Sequence, residues 1–335
     1  MLSVGFVGLG AMGGPVATLI QKAGFPMVVC DLRAEAMQPF VERGARKAAT
    51  PAEVASHVDV TFTAVPMPPD VEKCAIGPEG VLQGIRPDGV YIDISTSSPE
   101  LIRGFEPHFR AKNAWVLDAP VGAGQPQSMA TRGSGVHEIM CGGERAIFER
   151  VYPIFAAYGD QIIHCGKLGD GCICKLMHQL MGTGFAQVIA ETMTLGVKAG
   201  VDLRVLWEAV RRGLAGRLTM LHQSMPGTVF NGRYHEPAGF THELLTKDVG
   251  LALALARQHH VPMPVASVAE QIMIQALNRG WGKGAGYTAH FALQEEAAGV
   301  QLRLPGIDAR EAGKYLSTHP ETGYLKETQV AATAV

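Results

Sequence analysis

The segment "VGFVGLGAMGGP", Val4 to Pro15, constrains this chain more than any other. An apolar, strand-like run ends in Gly8, Gly10 and Gly13, a G-x-G-x-x-G pattern that opens directly into a helical stretch. Gly8 permits a tight turn, and Gly10 lets the backbone approach a pyrophosphate. The free N–H groups and dipole of the helix N-terminus then attract that anion, and Gly13 allows close helix–strand packing. Leu9, Ala11 and Met12 complete the loop expected to line a dinucleotide. The next strand-like run, "PMVVCD", ends in Asp31, 18 residues after Gly13. A carboxylate there accepts from an adenosine ribose 2′-OH and repels a 2′-phosphate, which favours NAD over NADP. Leu32 and Arg33 follow at the cofactor's edge. Arg33 could pair with a 2′-phosphate, but it reads first as a solvated residue at a helix start.

The first half continues the alternation. Strand-like runs "DVTFTAVP", "GVYIDIS", "AWVLDAP", "HEIMCGG" and "QIIHCG" are mostly separated by helical patterns, among them Pro15 to Ala23, Ala34 to Arg43, Pro99 to Lys112 and Glu144 to Tyr158. Near-continuous apolar strands between amphipathic helices predict a mostly parallel sheet covered on both faces. After about Gly166 the strand signals stop. Residues 171–200 form a long helical run, apolar on nearly every side and so expected to be buried along much of its length. Helical segments 202–213, 241–259 and 264–279 follow. The fold class is therefore α/β: an N-terminal Rossmann-type, doubly wound sheet, then an all-α C-terminal domain built around a long interdomain helix. The expected divisions are 1–166 for the nucleotide domain, 167–300 for the helical domain and 301–335 for a polar extension.

With 335 residues, 47% hydrophobic and 18% charged, the chain is long enough for two domains with real cores. A net charge of −2 gives no reason to expect nucleic acid or an anionic membrane as a partner. The N-terminus lacks a basic region and a long apolar run, so it reads as the first strand rather than a signal peptide. Six scattered cysteines and no secretory signal point to the cytoplasm. Two of them lie in "GDGCICKLMHQLMG", which raises the question of a metal or redox site. Cys172 and Cys174 lack the two-residue gap of zinc or thioredoxin motifs, and no second pair follows, so no metal is expected.

Five segments in order give the chain a resemblance to the β-hydroxyacid dehydrogenase family, from residue 2 to about residue 300. They are "GFVGLGAMGGPVA", "AVPMPPDVE", "DISTSSP", "DAPVGAG" with "MCGG", and "GDGCICKLMHQ" followed by "LLTKDVGLAL". The resemblance implies that Val65, Pro66 and Met67 run along the cofactor, and that Ser95 and Thr96 lie near the nicotinamide and the substrate. It implies that the "PVGAG" backbone, with Gly122, Ala123 and Gly124, binds a substrate carboxylate. Lys247 would close over the cofactor from the helical domain, and Asp248 would hold its helix. Lys175 would be the catalytic acid/base.

Elementary chemistry agrees about Lys175. An ammonium on an otherwise apolar helix is destabilised by burial, and its pKa falls toward the working pH of a general base. Gln179, one turn on, shares its face, and His178 lies at i+3. The family most often carries Asn at one or both positions. "HQ" instead resembles a branch acting on L-threonate-like sugar acids, and His at the first position also occurs in the 6-phosphogluconate branch. His178 is thus a candidate for substrate positioning, set against a plain core histidine. A second departure is Gly122, where the family has a serine that grips the carboxylate. Other donors must then hold the acid, and Arg211, Arg212 and Arg217 in "VRRGLAGRLTML" are candidates, Arg217 foremost for its glycine-rich setting.

The expected activity is NAD-dependent oxidation of a small 3-hydroxy acid, or reduction of the matching semialdehyde or keto acid. Where oxidation leaves a β-keto acid, decarboxylation can follow, as in the phosphogluconate branch. Two rivals are an imine reductase, whose kind typically replaces the lysine, and a nucleotide-binding sensor that has lost catalysis. The long apolar helix predicts a homodimer or homotetramer.

Overall fold

The computed structural model describes residues 1–123, 137–213, 215–216, 220, 224–234, 236, 241–282 and 285–304. β1 (Val4–Val7), β2 (Met27–Cys30), β4 (Val60–Thr63) and β5 (Val90–Asp93) are each buried over all four residues, the pattern of strands covered on both faces. With β3 (Arg46–Lys47) and β6 (Trp115–Asp118) they form a parallel array in the order β3-β2-β1-β4-β5-β6. β1 pairs with β2 on one side and β4 on the other. The strand order therefore reverses at β1, and the crevice beyond its C-terminal end is where such sheets bind ligands.

The sheet is wrapped by α1 (Gly13–Lys22), α2 (Ala34–Glu42), α3 (Pro51–Ser56), α4 (Pro68–Ile76), α5 (Val81–Gly84), α6 (Pro99–Arg110) and α7 (Arg145–Phe155). Local chemistry sets several of their starts. Thr50 Oγ1 accepts from Glu53 N at 3.1 Å, and Ser98 Oγ accepts from Leu101 N at 3.1 Å. Each cap is followed by a proline in the first turn, where no N–H is missed. Inside, Phe6 stacks on Phe62 with centroids 5.7 Å apart, and Phe155 and Tyr158 meet Phe62 edge-on.

Beyond β6 the sheet changes direction. β8 (His137–Gly142) pairs antiparallel with β6 at Asp118 and with β7 (Val121–Ala123), and parallel with β9 (Gly159–Gly166). β3 and β7 were not read from the sequence, because two or three residues carry no period to detect.

After Gly166 the described elements are helical, as expected. α8 (Asp170–Lys198) is followed by α9 (Leu203–Arg212), α10 (His242–Gln258), α11 (Pro264–Asn278) and α12 (Phe291–Ala298). The chain forms two compact units that divide inside α8, the first ending at Leu180 and the second beginning at Met181. In the second unit the buried Glu191 caps α11, accepting from Val265 N at 3.0 Å and Ala266 N at 3.2 Å. Asp202 caps α9 in the same way, accepting from Arg204 N and Val205 N.

The expectation that the long helix is buried along much of its length requires correction. Every residue from Gln179 to Ala190 is exposed in this single chain. Apolarity on all sides shows that a helix must be covered, and leaves open whether its own chain does the covering.

Candidate active site

The glycine loop has the shape its sequence implies. Gly8 has φ +88°, and a side chain there would overlap Ala64 O. A Cβ at Gly13 would overlap Gly8 O and press on Phe6. Gly10 differs from both, since nothing lies within 4 Å of where its Cβ would be. Two glycines thus close the turn against the sheet while the third leaves open space over the loop. α1 begins at Gly13, and in its first turn Gly14 N donates to Gly10 O at 2.9 Å and Val16 N to Met12 O at 3.4 Å, while Pro15 has no N–H.

Asp31, just past β2, reaches back to the loop. Its Oδ2 accepts from Leu9 N at 2.6 Å, and its Oδ1 accepts from Arg33 N at 2.9 Å, with Arg33 Nε 3.4 Å away. Leu32 is fully exposed beside it. Oδ2 keeps a further lone pair for a ribose hydroxyl, while Oδ1 is taken by the two Arg33 donors. These residues fit a nicotinamide dinucleotide: an open glycine cradle at a helix N-terminus and an oriented acid at the adjacent strand end.

The next loop is tied down by a buried network. Asp93 Oδ1 accepts from Thr63 Oγ1 and Ser95 Oγ, both at 2.7 Å, and Ser95 Oγ accepts from Val65 N at 3.0 Å. Ser95 therefore holds the Val65–Pro66–Met67 loop in place from beneath, whereas Thr96, Pro66 and Met67 are exposed. Burial pushes the Asp93 carboxyl up to about 6, against the hydrogen bonds that favour its charge. Its Oδ2 is buried with no partner among the described residues, which is where a proton would sit.

Lys175 is placed by the start of α8. The buried carboxylate of Asp118 accepts from Gly169 N and Cys172 N, each at 2.7 Å, one oxygen to each. Gly171 makes the close approach possible, since a Cβ there would overlap Met140 O. Arg103 Nη2 pairs with Asp170 at 3.1 Å and its Nε donates to Leu168 O at 2.9 Å. Lys175 follows Cys172 by three residues and is only 6% exposed. Burial pulls its pKa below the ordinary lysine value, and the nearby Glu138 carboxylate opposes that fall. Cys172 is buried with its thiol pushed up by desolvation, while Cys174 is exposed. Among the described residues no cluster of three or more His, Cys, Asp or Glu could hold a metal ion.

Glu138 was not singled out from the sequence. It lies on β8 directly opposite Gly122 on β7, and its Oε2 is 3.2 Å from His178 Nδ1. An ideal Cβ on Gly122 would stand 2.5 Å from the same oxygen. The carboxylate thus folds over the glycine and joins His178 and Lys175 in one group. The signal available was an acid in the otherwise apolar run "HEIMCGG", two residues before the "MCGG" segment.

The register also bears on the expected carboxylate cradle. Met140 N donates to Pro120 O at 3.2 Å, so Gly122 and Glu138, two residues further along, form the next hydrogen-bonded pair of the ladder. Gly122 N–H is engaged there, Pro120 has none, and Gly124 lies outside the described residues; Ala123 is described in its main chain only.

Gln179 sits exposed on α8, one turn past Lys175. In the second unit Lys247 is on α10, exposed, with its Nζ 2.9 Å from Asp248 Oδ1. Arg211 and Arg212 both pair with Glu208 at 2.7 Å, which makes them members of a surface ion cluster. Arg217 lies outside the described residues.

Residues 3–166 match the family described as the NAD binding domain of 6-phosphogluconate dehydrogenase. Residues 169–293 match that described as the NAD-binding of NADP-dependent 3-hydroxyisobutyrate dehydrogenase. The chain is 31% identical over 302 residues to 2-(hydroxymethyl)glutarate dehydrogenase of Eubacterium barkeri, covering 90% of this chain and 97% of that one. The crystal structure of 3-hydroxyisobutyrate dehydrogenase from Salmonella typhimurium matches with a TM-score of 0.56 at 27% identity, covering 88% of this chain and all of that one. A reductive aminase from Aspergillus terreus matches with a TM-score of 0.74 over 88% of this chain and 99% of that one. At 18% identity that likeness is one of fold alone.

Proposed function

Because this chain belongs to the β-hydroxyacid dehydrogenase family and is an NAD(P)-dependent hydroxyacid dehydrogenase, we propose that it oxidises a small 3-hydroxy acid, or reduces the matching semialdehyde or keto acid, with NAD as its cofactor. The observation that carries this reading is Lys175, a lysine 6% exposed and held one turn inside α8 with its pKa lowered by burial.

The residues divide the work. The Gly8–Gly13 loop and the first turn of α1 hold the pyrophosphate, and Asp31 accepts from the ribose, which supports NAD as the preferred form. Ser95 keeps the Val65–Met67 loop along the cofactor, and Thr96 beside it is accessible to nicotinamide and substrate. A nicotinamide held there would supply the hydride acceptor for the carbon that carries the substrate hydroxyl. Lys175, neutral, takes the hydroxyl proton onto Nζ; in the reverse direction its ammonium returns it to the carbonyl oxygen. His178 and Gln179, on the same helix, orient the substrate. The main-chain N–H of Ala123, Arg217 and Lys247 are the further donors proposed for the acid group and the cofactor.

No helix among the described residues is long and apolar enough to cross a membrane. We place the enzyme in the cytoplasm, as a homodimer or homotetramer.

The test is NADH formation at alkaline pH from hydroxyisobutyrate, glycerate, serine, phenylserine, threonate and 6-phosphogluconate, beside Lys175→Ala and with NADP in parallel. Loss of general acid/base catalysis should cut turnover by about 10²–10⁴-fold in the variant. Tight NADH binding without turnover of any of these acids would count against the reading.

A further inference from the structure

Gly122, Glu138 and His178 neither give up nor take the hydride or the proton moved in the reaction described above. A carboxylate at this point is unexpected for a site that takes an anionic acid, because it repels a second carboxylate. It is also not spent internally. An ionised carboxylate offers about four acceptor positions, and His178 Nδ1 at 3.2 Å uses one of them. The Glu138 side chain is 43% exposed, so it is accessible from solution. Gly122 is matched to it: any side chain at that position would displace Oε2, which stands 2.5 Å from the ideal Cβ. Residues three apart on a helix are neighbours on its surface, with Cβ atoms ~5–6 Å apart. The same carboxylate acts electrostatically on Lys175, three residues earlier on α8.

We propose, resting on the 3-hydroxy acid reading, that Glu138 is a specificity-determining residue: it accepts a hydrogen bond from a donor substituent, hydroxyl or ammonium, on the carbon next to the reacting one. Gly122 makes the room, and His178 holds the carboxylate in position. The substrate's own carboxylate is turned away from Glu138. A methyl group at the same carbon leaves the carboxylate without its partner, and a second anion there is rejected.

Three 3-hydroxypropanoates that differ only at carbon 2, bearing methyl, hydroxyl or ammonium, are titrated calorimetrically into the full chain with NAD present. The hydroxyl and ammonium compounds should bind at least about tenfold more tightly than the methyl one, as one charge-assisted hydrogen bond requires. Glu138→Leu should abolish or invert that order. Glu138→Gln, which keeps an acceptor oxygen and the side-chain shape, should retain the hydroxyl preference and lose any excess for ammonium, and so identifies which donor the site serves. Equal binding of the three by the native protein, binding of none, or an order unchanged in Glu138→Leu would each overturn the assignment. NADH formation read in the same samples separates the two claims. A binding order that responds to Glu138 with no NADH from any acid ends the 3-hydroxy acid reading alone. NADH formation with an order blind to Glu138 ends the Glu138 assignment alone.

Discussion

Asp118, at the end of β6, accepts the Cys172 N–H at 2.7 Å and so fastens the first turn of α8 to the sheet. Its other oxygen takes the Gly169 N–H, and both donors are buried. Asp118→Ala would leave them without an acceptor, a loss of about 2–3 kcal/mol in folding stability. Asp118→Asn should do little better, because its amide presents N–H to one of the two N–H groups. Urea unfolding measures the stability loss. A fall in turnover at saturating substrate would report the displaced Lys175.

Gly10 and Gly13 should separate binding from folding. Gly13→Ala forces a Cβ into Gly8 O and should destabilise the first unit by a few kcal/mol, on the order expected for overpacking against backbone. Gly10→Ala meets nothing within 4 Å in the protein, so its thermal unfolding should stay near that of the parent. It should still weaken NADH binding, read by fluorescence titration, because the added methyl occupies the space a pyrophosphate needs. Equal thermal destabilisation by the two variants would contradict this.

Replacing Asp31 tests the cofactor preference. Asp31→Ser removes the charge that repels a 2′-phosphate and frees the neighbouring Arg33, whose N–H and Nε both lie against Oδ1. The ratio of kcat/KM for NAD over NADP should fall by about tenfold or more. The comparison is made with one substrate and both cofactors.

The pH profile should follow Lys175. Oxidation needs its neutral form, so kcat/KM for oxidation should rise with pH and level off below the ordinary lysine range, because burial lowers the pKa. Reduction needs the ammonium and should fall over the same interval. Glu138 pulls the other way, stabilising the ammonium, so Glu138→Gln should move both limbs to lower pH. Limbs that stay in place would end the proposed coupling of Glu138 to Lys175.

Association should depend on the exposed helix faces of the second unit. On α8, Phe185 is 43% and Ile189 55% exposed; on α9, Leu203, Val205 and Trp207 all exceed half. Large apolar side chains gathered this way are the usual mark of a surface covered by another copy. Light scattering at micromolar concentration should give a dimer or tetramer, and Phe185→Asp with Ile189→Asp should shift it toward monomer. A monomeric parent protein would end the oligomer proposal.

Much of this was readable along the chain. The glycine loop, the acid at the end of β2, the strands β1, β2, β4, β5, β6, β8 and β9 and the switch to helices after Gly166 all follow from local rules. Strand burial, glycine turns and helix periods are properties of neighbours in sequence. Lys175 stood out for a similar local reason, a charge on an apolar helix. What the tertiary structure alone decided is how residues distant in sequence meet. Gly122, Glu138 and His178 come together because β7 pairs antiparallel with β8 in one register, and a shift of one residue would turn Glu138 to the other face of the sheet. Asp118 reaches Cys172, 54 residues on, for the same kind of reason. Hydrophobic pattern shows which side of an element is buried, but pairing register and the partner across the contact are set by the packing of the whole domain.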